Sequence, residues 1–143
     1  MSTAIDKMVA ACRAGKSPQL IARMGSGWAI LGTSQFLRGY SLLLPDPVVP
    51  TLNALRGTDR TQFLSDMAML GDAVLAATGA IRINYSMFGN LEPALHAHVI
   101  PRYDDETADK RTAHPWSYDW ASAPQFNPHA HGELLEGIRR CLS

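Results

Sequence analysis

Asn84-Tyr85-Ser86-Met87-Phe88-Gly89-Asn90-Leu91-Glu92-Pro93-Ala94-Leu95-His96-Ala97-His98-Val99-Ile100-Pro101-Arg102 is the stretch that organises the chain. Ala80–Tyr85 and Leu95–Pro101 read as two strands, with Ser86–Ala94 as the loop between them. Side chains alternate along a strand, so His96 and His98 share one face. Two imidazoles are poor core packing, and they make sense where a polar ligand meets that face. A neutral imidazole keeps one nitrogen lone pair free near pH 7, provided the other nitrogen is held by an acceptor such as a carbonyl. Attack at phosphorus by that lone pair would divide one displacement into two through a phosphohistidine. Gly89 permits close backbone approach to a ligand, and Asn84 and Asn90 supply amide groups.

Outward from this stretch, the pattern alternates helix and strand. Ser2–Ala14 reads as a helix capped by Ser2 or Thr3 and stopped by Gly15; Lys16–Gly27 is irregular. Trp28–Leu31 and Tyr40–Leu44 are short β-rich runs bounded by glycine and proline, and a brief helical segment follows from Pro50 to Leu55. Thr61–Thr78 carries apolar residues at three- and four-residue steps and ends at Gly79. Asp104–Phe126 is polar and irregular, with Trp116, Tyr118 and Trp120 expected to pack the segment down rather than stack on a base. Pro128–Leu142 closes the chain as a helix with Leu134, Leu135, Ile138 and Leu142 on one stripe. The order α, β, β, α, β, β, α implies an α+β domain, one unit over residues 1–143, with a largely antiparallel sheet.

The 143 residues carry 13 Lys+Arg against 13 Asp+Glu, so no basic surplus argues for nucleic acid and no polybasic tract for a membrane. With no signal-like or spanning apolar run, the expected location is the cytoplasm. Cys12 and Cys141 both fall on apolar helix faces and read as buried thiols. His129 and His131 read as solvent-facing residues at a helix start, since positions two apart do not share a helical face. A metal reading would join His96 and His98 to His114, His129 or His131, but that spacing matches no compact zinc motif, so no metal ligands are assigned.

The stretch resembles the signature of the histidine triad (HIT) family, His-φ-His-φ-His-φ-φ, often preceded by proline and followed by Pro-Arg. Pro93, His96, His98, Val99, Ile100, Pro101 and Arg102 match it. The family's upstream Asn falls on Asn84, and its Gly-Gln pair on Gly89 and Asn90. Gly39–Pro45 resembles the family's Gly-His-φ-φ-φ-φ-Pro strand, and the likeness runs from about Gly27 to Tyr103. Ala94 stands where the first triad His would be, Tyr40 where the upstream His would be, and Gly32 near the family's ribose contact, a role that Gln35 or Ser34 would have to take over.

The resemblance implies a HIT-like α+β fold with about five antiparallel strands and a homodimer. It implies a nucleotide hydrolase or transferase acting at an α-phosphate, of diadenosine polyphosphate or nucleoside phosphoramidate type. His96 would be the nucleophile and His98 would contact or protonate the phosphate and leaving group, with Asn84, Gly89 and Asn90 binding nucleotide. No cofactor is required, although a divalent metal can accompany a polyphosphate. The rival readings are a nucleotide-binding module with little turnover and a metal-dependent hydrolase.

Overall fold

Alternation along the central strands settles the architecture. In the strand Ser41–Pro45, Leu43 points to one side and Leu42 and Leu44 to the other, and all are buried because both faces of the sheet are covered. The computed structural model describes residues 2–143. Its elements are α1 (Ala4–Arg13), β1 (Leu20–Met24), β2 (Gly27–Leu31), β3 (Ser41–Pro45), α2 (Gly57–Thr78), β4 (Arg82–Ser86), β5 (Ala97–Arg102), α3 (Ala108–Arg111) and α4 (Pro128–Leu142). Short 3₁₀ turns occupy Leu52–Ala54 and Pro115–Ser117. The five strands form one antiparallel sheet in the order β1-β2-β3-β5-β4.

One face packs against α2 and α4. Ala29, Leu31, Leu43, Ala97 and Val99 meet Phe63, Leu70, Ala73 and Val74 of α2 and Leu134, Leu135 and Ile138 of α4. Asp66, also buried on α2, accepts from Ser26 N at 2.8 Å, Ser26 Oγ at 2.6 Å and Gln62 Nε2 at 2.7 Å, which ties the helix to the β1–β2 turn. A carboxylate can accept about four hydrogen bonds, and these three donors fill most of that capacity.

The opposite face carries Ile30, Leu42, Leu44 and Ile100, covered by Ile5, Val9 and Cys12 of α1 and by aromatic residues of the 104–126 segment. Thr3 caps α1 through a reciprocal capping box with Asp6, and Gly79 ends α2 in the left-handed region at φ 73°. Asn127 caps α4, donated to by His129 N and Ala130 N.

Four sequence expectations are corrected. Lys16–Gly27 contains β1, an edge strand whose register slips between Leu20 and Ala22. Cys141 is exposed, whereas Cys12 is buried; both thiols are free. His131 is buried, stacked on Phe126 and accepting from Asn127 N at Nδ1, although His129 is exposed as anticipated. The 104–126 segment is less irregular than its composition implies, since it holds α3 and a 3₁₀ turn.

Candidate active site

Pro101-Arg102 ends β5, and Ala94-Leu95-His96 leads into it. The lead-in is fixed at both ends: Leu95 N donates to Val49 O at 2.8 Å, and Glu92 Oε1 accepts from Ala4 N at 3.1 Å, at the start of α1. His96 therefore lies just before the strand and His98 within it, and their rings meet edge to face with centroids 4.8 Å apart. The sequence reading puts both histidines inside the strand; β5 begins one residue after His96, yet the two rings still meet on the side of Trp116.

His96 Nδ1 lies 2.7 Å from the carbonyl oxygen of Ala94. A carbonyl can only accept, so the proton resides on Nδ1 and the lone pair on Nε2 is free. The backbone, not a side chain, sets this tautomer, so the arrangement does not depend on which side chain stands at Ala94.

His98 sits deeper. Burial, and then the neighbouring His96, lowers its pKa to about 4. Its Nδ1 is 2.7 Å from the hydroxyl of Tyr40, whose ring stacks beside it at 5.9 Å and 12°. Trp116 stands edge-on to His98 at 5.0 Å and stacks on Trp120 at 4.8 Å; Trp120 in turn packs on Phe36 and Tyr40. The aromatic residues thus pack their segment down, and they do so directly over the histidine pair.

Tyr40 and Gly32 are sterically matched. A Cβ at Gly32 would come within 2.3 Å of the Tyr40 ring, so the larger ring occupies the space that a side chain at position 32 would need. Gln35 does not replace a ribose contact. It is buried, donating to Gly32 O and Tyr40 O at 2.8 and 2.9 Å and accepting from Gly39 N at 2.9 Å, which staples the loop that delivers Tyr40. Ser34 Oγ is likewise engaged with Trp120 O at 3.2 Å.

Asn84 opposes Ile100 in the β4–β5 ladder and accepts at Oδ1 from Arg102 Nη1 at 2.9 Å. Because Arg102 can only donate, Asn84 presents its NH₂ group away from that bond. Arg102 also reaches Glu106, Lys110 O and Ala113 O, anchoring the aromatic segment. Glu106 closes the network by accepting from Tyr118; its pKa is lowered because Arg102, Tyr118 and Tyr103 N outweigh the opposing effect of burial. Gly89 adopts φ 68° in the loop before the histidines and Asn90 is exposed beside it.

The residue directly across from His98 is Ser86, which the sequence reading passed over. Its hydroxyl is the one buried side-chain polar atom without a hydrogen-bond partner among the described residues. Ser86 also lines a cavity of about 760 Å³ along β4 with Asn84, Tyr85, Phe88, His114 and Trp116. Only the pairing register, which a single sequence does not display, identifies it. His114 therefore lies in this cavity wall, while His131 belongs to α4; among the described residues no three His, Cys, Asp or Glu side chains group as a metal site would need.

Solved structures share this arrangement of elements. A histidine triad protein from Marinobacter aquaeolei VT8 matches with a TM-score of 0.76 at 15% identity, over 99% of this chain and 97% of that one. A histidine triad protein from Bradyrhizobium japonicum matches at 0.75 and 18% identity, over 92% and 95%. A protein described as a hypothetical histidine triad nucleotide-binding protein, from Sulfolobus tokodaii strain7, matches at 0.74 and 13% identity, over 95% and 91%. No family model matches the chain, and no curated protein matches its sequence. At these identities the likeness defines the fold: an α+β, five-stranded histidine triad fold. It extends through α1 and α4, well beyond the Gly27–Tyr103 span legible in the sequence. No helix among the described residues is long and apolar enough to cross a membrane.

Proposed function

We propose that the protein is a histidine triad enzyme that hydrolyses or transfers a nucleoside monophosphate group. The substrate would be a nucleotide whose α-phosphate carries a leaving group, as in a dinucleoside polyphosphate or a nucleoside phosphoramidate. The carrying observation is the 2.7 Å contact between His96 Nδ1 and Ala94 O, which leaves His96 Nε2 as a bare nucleophile. In the first step Nε2 forms a bond to phosphorus and the leaving group departs with its electron pair. In the second, water or another acceptor attacks phosphorus and the N–P bond breaks. His98 contacts the phosphoryl oxygens, where donors aimed at developing charge supply a large share of rate enhancement. Asn84, Gly89 and Asn90 are assigned to nucleotide binding, Asn84 through the amide NH₂ that Arg102 leaves free.

A homodimer is part of this reading. β4 is an edge strand that carries exposed Tyr85, with exposed Ile81 and Phe88 just beyond its two ends, an edge that a second copy would cover. Analytical ultracentrifugation decides it: a monomeric mass at micromolar concentration removes the dimer.

The test of function is product analysis on a panel of dinucleoside polyphosphates and nucleoside phosphoramidates, with and without chelator, beside His96→Ala. Nucleoside monophosphate released despite chelator and absent from the variant supports the enzyme and its nucleophile. Binding without turnover supports the second reading, a nucleotide-binding module, for which Ala94 and Tyr40 in place of histidines are the specific observations. Turnover abolished by chelator would replace both with a metal-dependent hydrolase.

A further inference from the structure

The hydrogen bond between Tyr40 and His98 assigns a proton. Tyr40 is 4% exposed, and its hydroxyl has one hydrogen-bond partner among the described residues, His98 Nδ1 at 2.7 Å. Were Nδ1 to carry the ring proton, it would donate to the phenol oxygen and leave the phenol's own hydrogen buried without an acceptor. Were the phenol to donate, both groups would be satisfied, because Nδ1 then supplies a lone pair. The second arrangement is therefore favoured, and it puts the proton of a neutral His98 on Nε2. No protein group bonds that nitrogen, yet it is absent from the buried unpartnered atoms, which comprise Ser86 Oγ alone among the described residues; it is open to a ligand.

We propose that Tyr40 is a positioning residue that locks His98 as the Nε2–H tautomer, so that His96 and His98 present a bare nitrogen and a proton donor side by side to one phosphoryl group. The two imidazoles, two residues apart, hold opposite tautomers. Ala94 O draws the His96 proton to Nδ1, whereas the Tyr40 hydroxyl drives the His98 proton to Nε2. A lone pair beside an N–H matches an electrophilic phosphorus bearing an anionic oxygen. Burial keeps both partners neutral, lowering the basicity of His98 and raising the Tyr40 phenol well above its ordinary pKa. The inference rests on the function proposed above and refines it: His98 acts on the phosphoryl group as a fixed Nε2–H donor. A phenol at neutral pH has a proton to give and a single hydroxyl rotor to aim it at His98 Nδ1.

The experiment is a long-range ¹H–¹⁵N correlation of the histidine rings in the ¹⁵N-labelled, ligand-free protein at pH 7, with His98 assigned from the signals missing in His98→Gln. Protonated and bare nitrogens are well resolved in such spectra. The expected result is Nδ1–H for His96 and Nε2–H for His98 in the wild type. In Tyr40→Phe the His98 proton should redistribute between its two nitrogens while His96 stays unchanged, and kcat should fall on the order of tenfold with little change in KM. A wild-type His98 protonated on Nδ1, or a Tyr40→Phe spectrum identical to the wild type, overturns the proposal. Should Tyr40→Phe not fold, the wild-type spectrum decides alone. Because the tautomers are read without substrate, absence of nucleotide turnover would defeat the proposed function and leave the role of Tyr40 to the spectrum.

Discussion

Ser86 stands directly across the β4–β5 ladder from His98, and its buried hydroxyl has no hydrogen-bond partner. An unsatisfied buried hydroxyl is destabilising in the free protein by about 1–3 kcal/mol. Ser86→Ala should therefore raise the thermal midpoint of the free protein. Calorimetry of the variant beside the wild type checks this; a lowered midpoint would mean that the hydroxyl contributes more by packing than it costs by lacking a partner.

The histidines separate under substitution. His96→Ala should abolish turnover with the fold retained, because no other side chain offers a bare nitrogen next to the Ala94 carbonyl. His98→Ala should cost less, on the order of 10²–10⁴ in rate. His98→Gln, which keeps an N–H donor, should recover part of that loss. Steady-state kinetics on all three variants test this, and equal rates for His98→Ala and wild type would remove His98 from the chemistry.

Acid should weaken the fold through His98. Its folded-state pKa is about 4 against an ordinary 6.5, owing first to burial and then to His96. Between those values the unfolded chain binds the proton that the folded chain refuses, so unfolding free energy falls as pH falls. The contribution is fully present above pH 6.5 and is lost progressively down to pH 4, up to about 3 kcal/mol. Urea unfolding at pH 7 and pH 4.5 should show this loss in the wild type and a smaller one in His98→Gln. The groups facing His98 are His96, Tyr40, Ser86 and Trp116.

The histidine strand, the long helix α2 and the closing helix α4 were all legible in the sequence, because each carries a clean period or a stop signal. β1 was not. Its register slips between Leu20 and Ala22, which breaks the alternation by which a strand is recognised. His131 was legible and misread: it lies three and four residues before Leu134 and Leu135, on the buried stripe of α4. Cys141 lies three residues after Ile138, yet it is exposed in the last turn of α4. At the site, His96 and His98 followed from their spacing. Tyr40 did not, because β3 neighbours β5 only through long-range pairing, and Ser86 did not, because it reads as the first loop residue whereas β4 runs through it.

Arg102 joins the end of β5 to Asn84 and to the aromatic segment through a nearly dry contact with Glu106, the two side chains being 8% and 4% exposed. Removing one partner of such a pair strands the other's charge. Arg102→Met should destabilise the protein by about 3–5 kcal/mol, while the double change Arg102→Met, Glu106→Gln should recover part of it. Hydrogen exchange should show residues 104–120 opening first in the single variant. Uniform loss of protection across the sheet instead would mean that Arg102 supports the whole fold rather than the cover over the histidines.

Gly32 and Tyr40 make the last prediction, because they are two departures from the histidine triad signature that are sterically matched. A Cβ at position 32 meets two atoms of the Tyr40 ring at 2.3 Å, and the ring is enclosed by Phe36, Trp120 and His98, so it has little room to yield. Gly32→Ala should therefore cost about 1–3 kcal/mol through overpacking and push Tyr40 off His98 Nδ1. Reducing the ring removes the clash: in a Tyr40→His background, Gly32→Ala should be close to neutral. A double-mutant cycle read by urea unfolding measures the coupling directly. Strong coupling would mean that position 32 is small because Tyr40 is large; additive effects would mean that each departure arose for its own reason.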